Sequence, residues 1–287
     1  MIPEAFFMSE TPSKRSILIT GCSTGIGYAA AHSLRDRGWR VFAACRQTKD
    51  CARLQSEGFD APLLDYQDES SIHAALAQVL DATGGRLDAV FNNGAFAIPG
   101  AVEDLPTDAL RSIFEANFFG WHTLTRAVIP VMRDQGAGRI VQCSSVLGLI
   151  STPWRGAYNA TKFALEGLSD TLRQEMKGTG IEVILIEPGP ITSDFRKNAA
   201  AQFERWIEWT KSPRAAQYEN QLRKRLYDSV NKASFQLEPD AVVGKLIHAI
   251  ESQRPKPRYY VTLPTYFAGF ARRILPTGLL DRIMGRQ

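Results

Sequence analysis

The stretch Ser16-Ile17-Leu18-Ile19-Thr20-Gly21-Cys22-Ser23-Thr24-Gly25-Ile26-Gly27 reads in three parts. Its first five residues have the composition of a β-strand. From Gly25 onward apolar residues recur with helical spacing at Ile26, Ala29, Ala30 and Leu34. Between them lies a turn of small residues. A glycine-rich turn joining a strand to a helix lets backbone approach a pyrophosphate at the positive end of the helix. The plain alternative is an ordinary turn of small residues, which the strand before and the helix after disfavour. The spacing also departs from the commonest dinucleotide fingerprint, because three residues separate Gly21 from Gly25 where one is usual.

The same alternation continues through the chain. Strand-like runs fall at 16–20, 40–45, 61–64, 87–92, 139–144, 182–187 and 258–262, and helical patterns at 25–37, 69–83, 107–135, 158–177 and 240–253. Strands alternating with helices predict a parallel sheet covered on both faces. Seven such strands with right-handed crossovers predict an α/β, Rossmann-type doubly wound sheet in a single domain.

Composition agrees. The 287 residues are 44% hydrophobic and 22% charged, as in a globular protein with a sizeable core. No apolar run is long enough to span a membrane. Residues 1–14 place Glu4 and Glu10 around an apolar patch at 5–8, without a basic n-region, so a flexible extension is expected rather than a signal peptide. Cys22, Cys45, Cys51 and Cys143 lack metal-ligand spacing, so no metal is expected, and they fit a reducing cytoplasm. The net charge of +4 is uneven: residues 254–287 hold seven basic residues against Asp281, leaving the remainder at about −2. No basic helix interleaved with aromatics lies near the motifs, which argues against nucleic-acid binding.

Far downstream, Tyr158 is followed four residues later by Lys162 and preceded by Ser145. Positions i and i+4 share a helix face. A tyrosine is normally too weak an acid to exchange protons near neutral pH, and a neighbouring ammonium group would lower its pKa. Alone, Tyr-x-x-x-Lys is a weak signal. Together with the glycine turn, with Asp65, Asn92-Asn93-Gly94-Ala95, Asn117 and Pro188-Gly189 in order between and after, the pattern resembles the short-chain dehydrogenase/reductase family over roughly residues 15–262.

That resemblance implies roles. Tyr158 would exchange a proton with the substrate oxygen, Ser145 would hold that oxygen, and Lys162 would tune Tyr158 and bind the nicotinamide ribose. Asn117 would shape its helix and anchor a water in the proton relay. Cofactor contacts would come from Gly21, Ser23, Thr24, Gly25, Ile26 and Gly27, from Asp65 near the adenine, from Asn92 and Gly94, and from Tyr158 and Lys162. Beyond the sixth strand, Pro188, Gly189, Ile191 and Thr192 would meet the nicotinamide carboxamide. Where members that prefer NAD carry an acid, this chain has Cys45 followed by Arg46, which implies NADP(H). One departure stands out: the family usually reads Asn-Asn-Ala-Gly where this chain has Asn92-Asn93-Gly94-Ala95.

The segment 190–236 is too long for a simple connection and rich in aromatics. It follows a strand's carboxyl end, where ligands bind, so it reads as a substrate lid, with Trp154, Trp206 and Trp209 as substrate contacts. Surface helices packing on the domain or a partner subunit are the alternative. The chain thus divides into an extension (1–14), a dinucleotide-binding catalytic domain (15–262) and a basic, apolar tail (263–287). The resemblance extends to the hydroxysteroid and retinol dehydrogenase branch and its bacterial relatives. It implies an NADP(H)-dependent oxidoreductase on an apolar carbonyl or alcohol, in a homodimer or homotetramer. A non-catalytic NADP(H)-binding sensor or scaffold is the rival from another class, and a sugar-nucleotide epimerase the rival among enzymes. The expected place is the cytoplasm, with peripheral membrane contact through the tail as a further reading.

Overall fold

The computed structural model describes residues 14–227 and 235–285. Residues 1–13 of the expected extension, 228–234 of the expected lid and 286–287 of the tail lie outside the described residues. Six strands, β1 (Ser16–Thr20), β2 (Arg40–Ala44), β3 (Ala89–Asn92), β4 (Gly138–Cys143), β5 (Ile181–Glu187) and β6 (Arg258–Tyr260), form a parallel sheet in the order β2-β1-β3-β4-β5-β6. Parallel sheets are covered on both faces, and β1 and β3 are accordingly buried at every residue.

The expected doubly wound architecture is present with one correction, six strands in place of seven. Residues 61–64 run beside β2 but make only isolated bridges, Phe42 with Asp60 and Cys45 with Leu63. Ala43 and Cys45 donate to the carbonyls of Asp60 and Pro62, and Leu64 donates back to Cys45. The rung between would need an N–H at position 62, where proline has none.

The helices are α1 (Gly25–Asp36), α2 (Thr48–Ser56), α3 (Glu69–Thr83), α4 (Thr107–Phe114), α5 (Gly120–Gln135), α6 (Gly156–Glu175) and α7 (Phe195–Trp206). They continue with the short α8 (Ala215–Gln217) and α9 (Lys224–Tyr227), then α10 (Asp240–Glu251), α11 (Leu263–Ile274) and α12 (Thr277–Met284). The chain steps from β1 out to β2, then returns to β3 on the other side of β1. With crossovers of one hand, that reversal sends successive helices to opposite faces and opens a crevice at the carboxyl ends of β1 and β3. α1 packs against α10, and α3 against α5.

Residues 107–135, expected as one helix, are interrupted by a π-helical segment, Glu115–Phe119, between α4 and α5. Such segments widen a helix locally and occur often at functional sites; this one holds Asn117.

Two cores result. The larger surrounds the sheet. The smaller lies beyond the strand ends, where Ile98, α4 and the start of α6 meet Phe203, Ile207, Tyr218 and Leu222 of the 190–236 segment. Phe203 and Tyr218 are fully buried there, and each buried aromatic of this size contributes roughly 1.5–3 kcal/mol. In the tail α11 and α12 both form, parted at Pro276. Gly269 lies inside α11, where a Cβ would come within 2.6 Å of Tyr260.

Candidate active site

The glycine turn is built by close approach. Gly21 and Gly25 have φ of +70° and +61°, a region side chains disfavour. A Cβ on Gly21 would lie 2.6 Å from the Cα of Gly94, so the turns after β1 and β3 touch across the crevice. Gly94 itself has only 3.3 Å to spare against the Gly21 nitrogen. Glycine at 94 therefore fits this junction, and Ala95 packs against the main core. Gly27 presses on the Gly21 carbonyl, which a Cβ would approach to 2.4 Å.

At the start of α1, Thr24 makes no side-chain cap bond and the first turn has no acid, so N–H groups and the positive helix end stay available to an anion. Beside them is a cavity of about 380 Å³ lined by Ser23, Thr24, Gly25, Tyr28, Asp50 and Arg53. Cradle, charge and cavity together suit the phosphate portion of a dinucleotide. Arg53 was invisible in the sequence. Its guanidinium donates to the Ser23 carbonyl at 2.6 Å and sits 5.2 Å over the Tyr28 ring. α2, which carries it, buries only Cys51 and Leu54 and so shows little periodicity.

The other expected cofactor residues divide. Arg46 is exposed just past β2. Ile26 leans on the main core. Asp65 is half-buried and accepts the Gln67 N–H at 3.0 Å, while the cap of α3 is Asp68, accepting from Ser70 at 2.9 Å. The Asn92 side chain is fully buried and bonded to Tyr66, Thr125 and Gln142, bracing β3 against α5 and β4. Asn93 is the residue that reaches the glycine turn, donating to the Thr20 carbonyl at 3.0 Å.

Ser145, Tyr158 and Lys162 come together as expected. Ser145 and Tyr158 are both buried, and the Ser145 hydroxyl accepts the Leu147 N–H at 3.1 Å. Lys162, one turn along α6, is fully buried; its Nζ donates to the Cys143 carbonyl at 2.7 Å, 4.3 Å over Trp121 and 5.5 Å from the Tyr158 ring centre. Burial pushes the Tyr158 phenol well above its ordinary range, and the Ser145 hydrogen bond and the Arg155 charge pull it back. Burial pushes Lys162 down to about 8.

Desolvation dominates the shift of Tyr158; Arg155 is a cation that opposes it, itself pushed down to about 10, chiefly by burial. Asn117 is fully buried in the π-helical segment. Its amide grips the Phe96 backbone in both directions, accepting the N–H at 3.1 Å and donating to the carbonyl at 2.8 Å.

Pro188 accepts the Val146 N–H at 2.8 Å, tying the turn after β5 to the one after Ser145. A Cβ on Gly189 would lie 2.0 Å from the Thr262 hydroxyl, so the turn passes close against Thr262. Ile191 and Thr192 pair with Leu237, closing the two ends of the long segment on each other. Thr192 also donates to Glu238 at 3.0 Å.

Between those ends, Tyr218 accepts the Ala101 N–H and donates to Asp104, both at 2.8 Å, pinning the segment down. Trp154 stacks on Tyr218 at 4.9 Å, with φ of +67°. Phe195, not singled out in the sequence, meets the Tyr158 ring edge-on at 5.4 Å. Trp206 and Trp209 pack on the outside of the smaller core, Trp209 under Arg223. Among the described residues, no helix is long and apolar enough to cross a membrane.

Residues 15–204 match the family described as short chain dehydrogenase. The chain is 41% identical over 271 residues to "Uncharacterized oxidoreductase YbbO" of Escherichia coli (strain K12), covering 94% of each. It is 31% identical to Retinol dehydrogenase 8 of Homo sapiens, over 84% of this chain and 79% of that protein. A solved short chain dehydrogenase/reductase from Burkholderia phymatum in complex with NAD shares the fold with a TM-score of 0.75 at 22% identity, covering 96% of this chain and 97% of that one. The chain belongs to the short chain dehydrogenase family of oxidoreductases.

Proposed function

We propose, from that membership, that the chain is an NADP(H)-dependent oxidoreductase that interconverts an aldehyde or ketone and an alcohol on an apolar substrate. The observation that carries the reading is a buried Tyr158, edge-on to Phe195 and one helical turn from a fully buried Lys162. The glycine turn, Thr24 and the start of α1 would hold the pyrophosphate. Arg46, and Arg53 beside the cavity, offer guanidinium groups to a 2′-phosphate where an acid would repel it. When bound, the nicotinamide supplies or receives the hydride.

The chain's own residues manage the proton. Burial holds Tyr158 protonated at neutral pH, as a donor to a carbonyl oxygen must be. Ser145 presents its hydroxyl to the same oxygen. In the opposite direction the same groups act in reverse, the Tyr158 oxygen accepting the proton of the alcohol. The apolar walls are Phe195, Trp154 and the smaller core, which exclude water from the proton transfer.

The test is consumption of NADPH and of NADH by purified protein with aldehydes and ketones of graded size and polarity. Turnover with NADPH that strengthens with apolar bulk is expected. NADPH binding without turnover across the panel would favour a sensor or scaffold, and tighter binding of NADH would overturn the cofactor assignment.

A further inference from the structure

α11 and α12 leave a face uncovered. On α11, Leu263, Tyr266, Phe267, Phe270 and Ile274 are all exposed, Leu263 at 68% and Phe270 at 64%. At 3.6 residues per turn these five fall within an arc of about 100°. The opposite side of the same helix is buried: Thr265, Ala268, Gly269 and Ala271 pack inward. α12 continues the pattern, with Leu279 and Ile283 outward and Met284 inward on Ile150. Scattered exposed apolar residues need no explanation, but a contiguous stripe of this size marks a contact surface.

Charge indicates the partner. Arg273 borders the stripe and Arg282 flanks Leu279 and Ile283 on α12; both are exposed, while Arg272 lies on the far side of α11, over the Phe163 ring. Asp281 is the single acid between Leu263 and Gly285. An apolar face rich in aromatic rings and edged by arginines, on helices too short to span, matches the interface of an anionic bilayer. Position adds a reason. α11 packs on the turn Val146–Gly148, which follows Ser145 directly, so the surface that would meet lipid adjoins the candidate active site. We infer that this face seats the protein on an anionic phospholipid surface, from which an apolar substrate can enter.

The experiment is flotation of the full-length chain with vesicles of phosphatidylcholine alone or with phosphatidylglycerol, at physiological salt. Binding to the phosphatidylglycerol vesicles is expected. It should weaken roughly tenfold or more when Arg273 and Arg282 are replaced by Gln, and disappear with Phe267→Glu plus Phe270→Glu. Because those four side chains are exposed, melting temperature and NADPH binding should stay as in the parent. An adventitious apolar face would bind neither vesicle, and that result overturns the inference. So does equal binding to both compositions, which removes the charge argument. If no vesicle recruits the chain, and Phe267→Glu plus Phe270→Glu converts a larger sedimenting species into a smaller one, the face joins two copies of this chain and the lipid assignment fails. Each outcome leaves the oxidoreductase reading untouched, since that is assayed separately.

Discussion

Tyr158 occupies a place where two requirements compete. A phenol that donates a proton benefits from burial, which keeps it protonated, yet it must have a partner that tolerates the charge left behind. Arg155 and the Ser145 hydroxyl supply that tolerance here, against a desolvation that remains the largest influence. Replacing Tyr158 by Phe removes only the hydroxyl. Turnover should fall by roughly 10²–10⁴-fold, typical of a positioned acid or base, while NADPH binding, measured by fluorescence titration, stays within about twofold because the glycine turn is unaltered. Near-full turnover in that variant would remove Tyr158 from its assigned role. At Arg46 the expected effect concerns the cofactor alone. A charge-assisted contact contributes roughly 1.5–3 kcal/mol, so Arg46→Gln should weaken NADPH roughly ten- to hundredfold and leave NADH nearly unchanged. A parallel loss for both cofactors would mean Arg46 acts on the fold of the turn rather than on a phosphate.

At the scale of elements, the 190–236 segment is an extra layer fastened at three places. Its ends are stapled by the Ile191–Leu237 pairing, its middle by Tyr218 on Ala101 and Asp104, and its first helix by Phe203 in the smaller core. A segment held so firmly forms a wall, and α7 begins with the residue that touches Tyr158. Phe195→Ala should therefore raise KM for bulky apolar carbonyls several-fold more than for small ones, as loss of apolar contact does. Trp209→Ala should have little effect on either, because Trp209 packs outside, beneath Arg223. Steady-state kinetics on two aldehydes of different size decides the matter; equal KM changes for both substrates would make Phe195 a packing residue. The π-helical segment works in the same way. It lets Asn117 point its amide at the Phe96 backbone, fixing the loop that leads from β3 toward the smaller core.

Across the whole molecule, one buried ionic group ties distant parts of the chain. Arg258 on β6 pairs with Glu187 at the end of β5 and with Glu166 and Asp170 on α6. Two of those carboxylates are buried, and one guanidinium cannot neutralise all three. Burial, then the Glu166 charge, push Glu187 up to about 8 from an ordinary 4.5, despite Arg258. The folded chain then binds a proton that the unfolded chain has released, so this contribution to stability is complete below about 4.5 and is lost as pH rises through about 8. Thermal denaturation across that range should show the melting temperature declining, and Glu187→Gln should flatten the decline. An unchanged slope in the variant would show that Glu187 is ionised throughout.

Sequence alone determined the doubly wound sheet, the glycine turn and the shared helix face of Tyr158 and Lys162, because each rests on local chemistry: strand periodicity, permissive backbone at a turn, and the four-residue repeat of a helix; Ser145 joined them through the family resemblance. It also placed the aromatic segment at a strand's carboxyl end. It overcounted strands at 61–64, where Pro62 withholds one N–H from an otherwise adequate apolar run. What only the tertiary structure decided depends on partners far apart in the chain. Asn92 joins a network with Tyr66, Thr125 and Gln142, Gly189 passes close against Thr262, Arg53 reaches Ser23, and Phe195 reaches Tyr158. The electrostatics followed the same division. Desolvation depends on everything packed around a group, so the burial that raises Tyr158 could be read only from the tertiary structure.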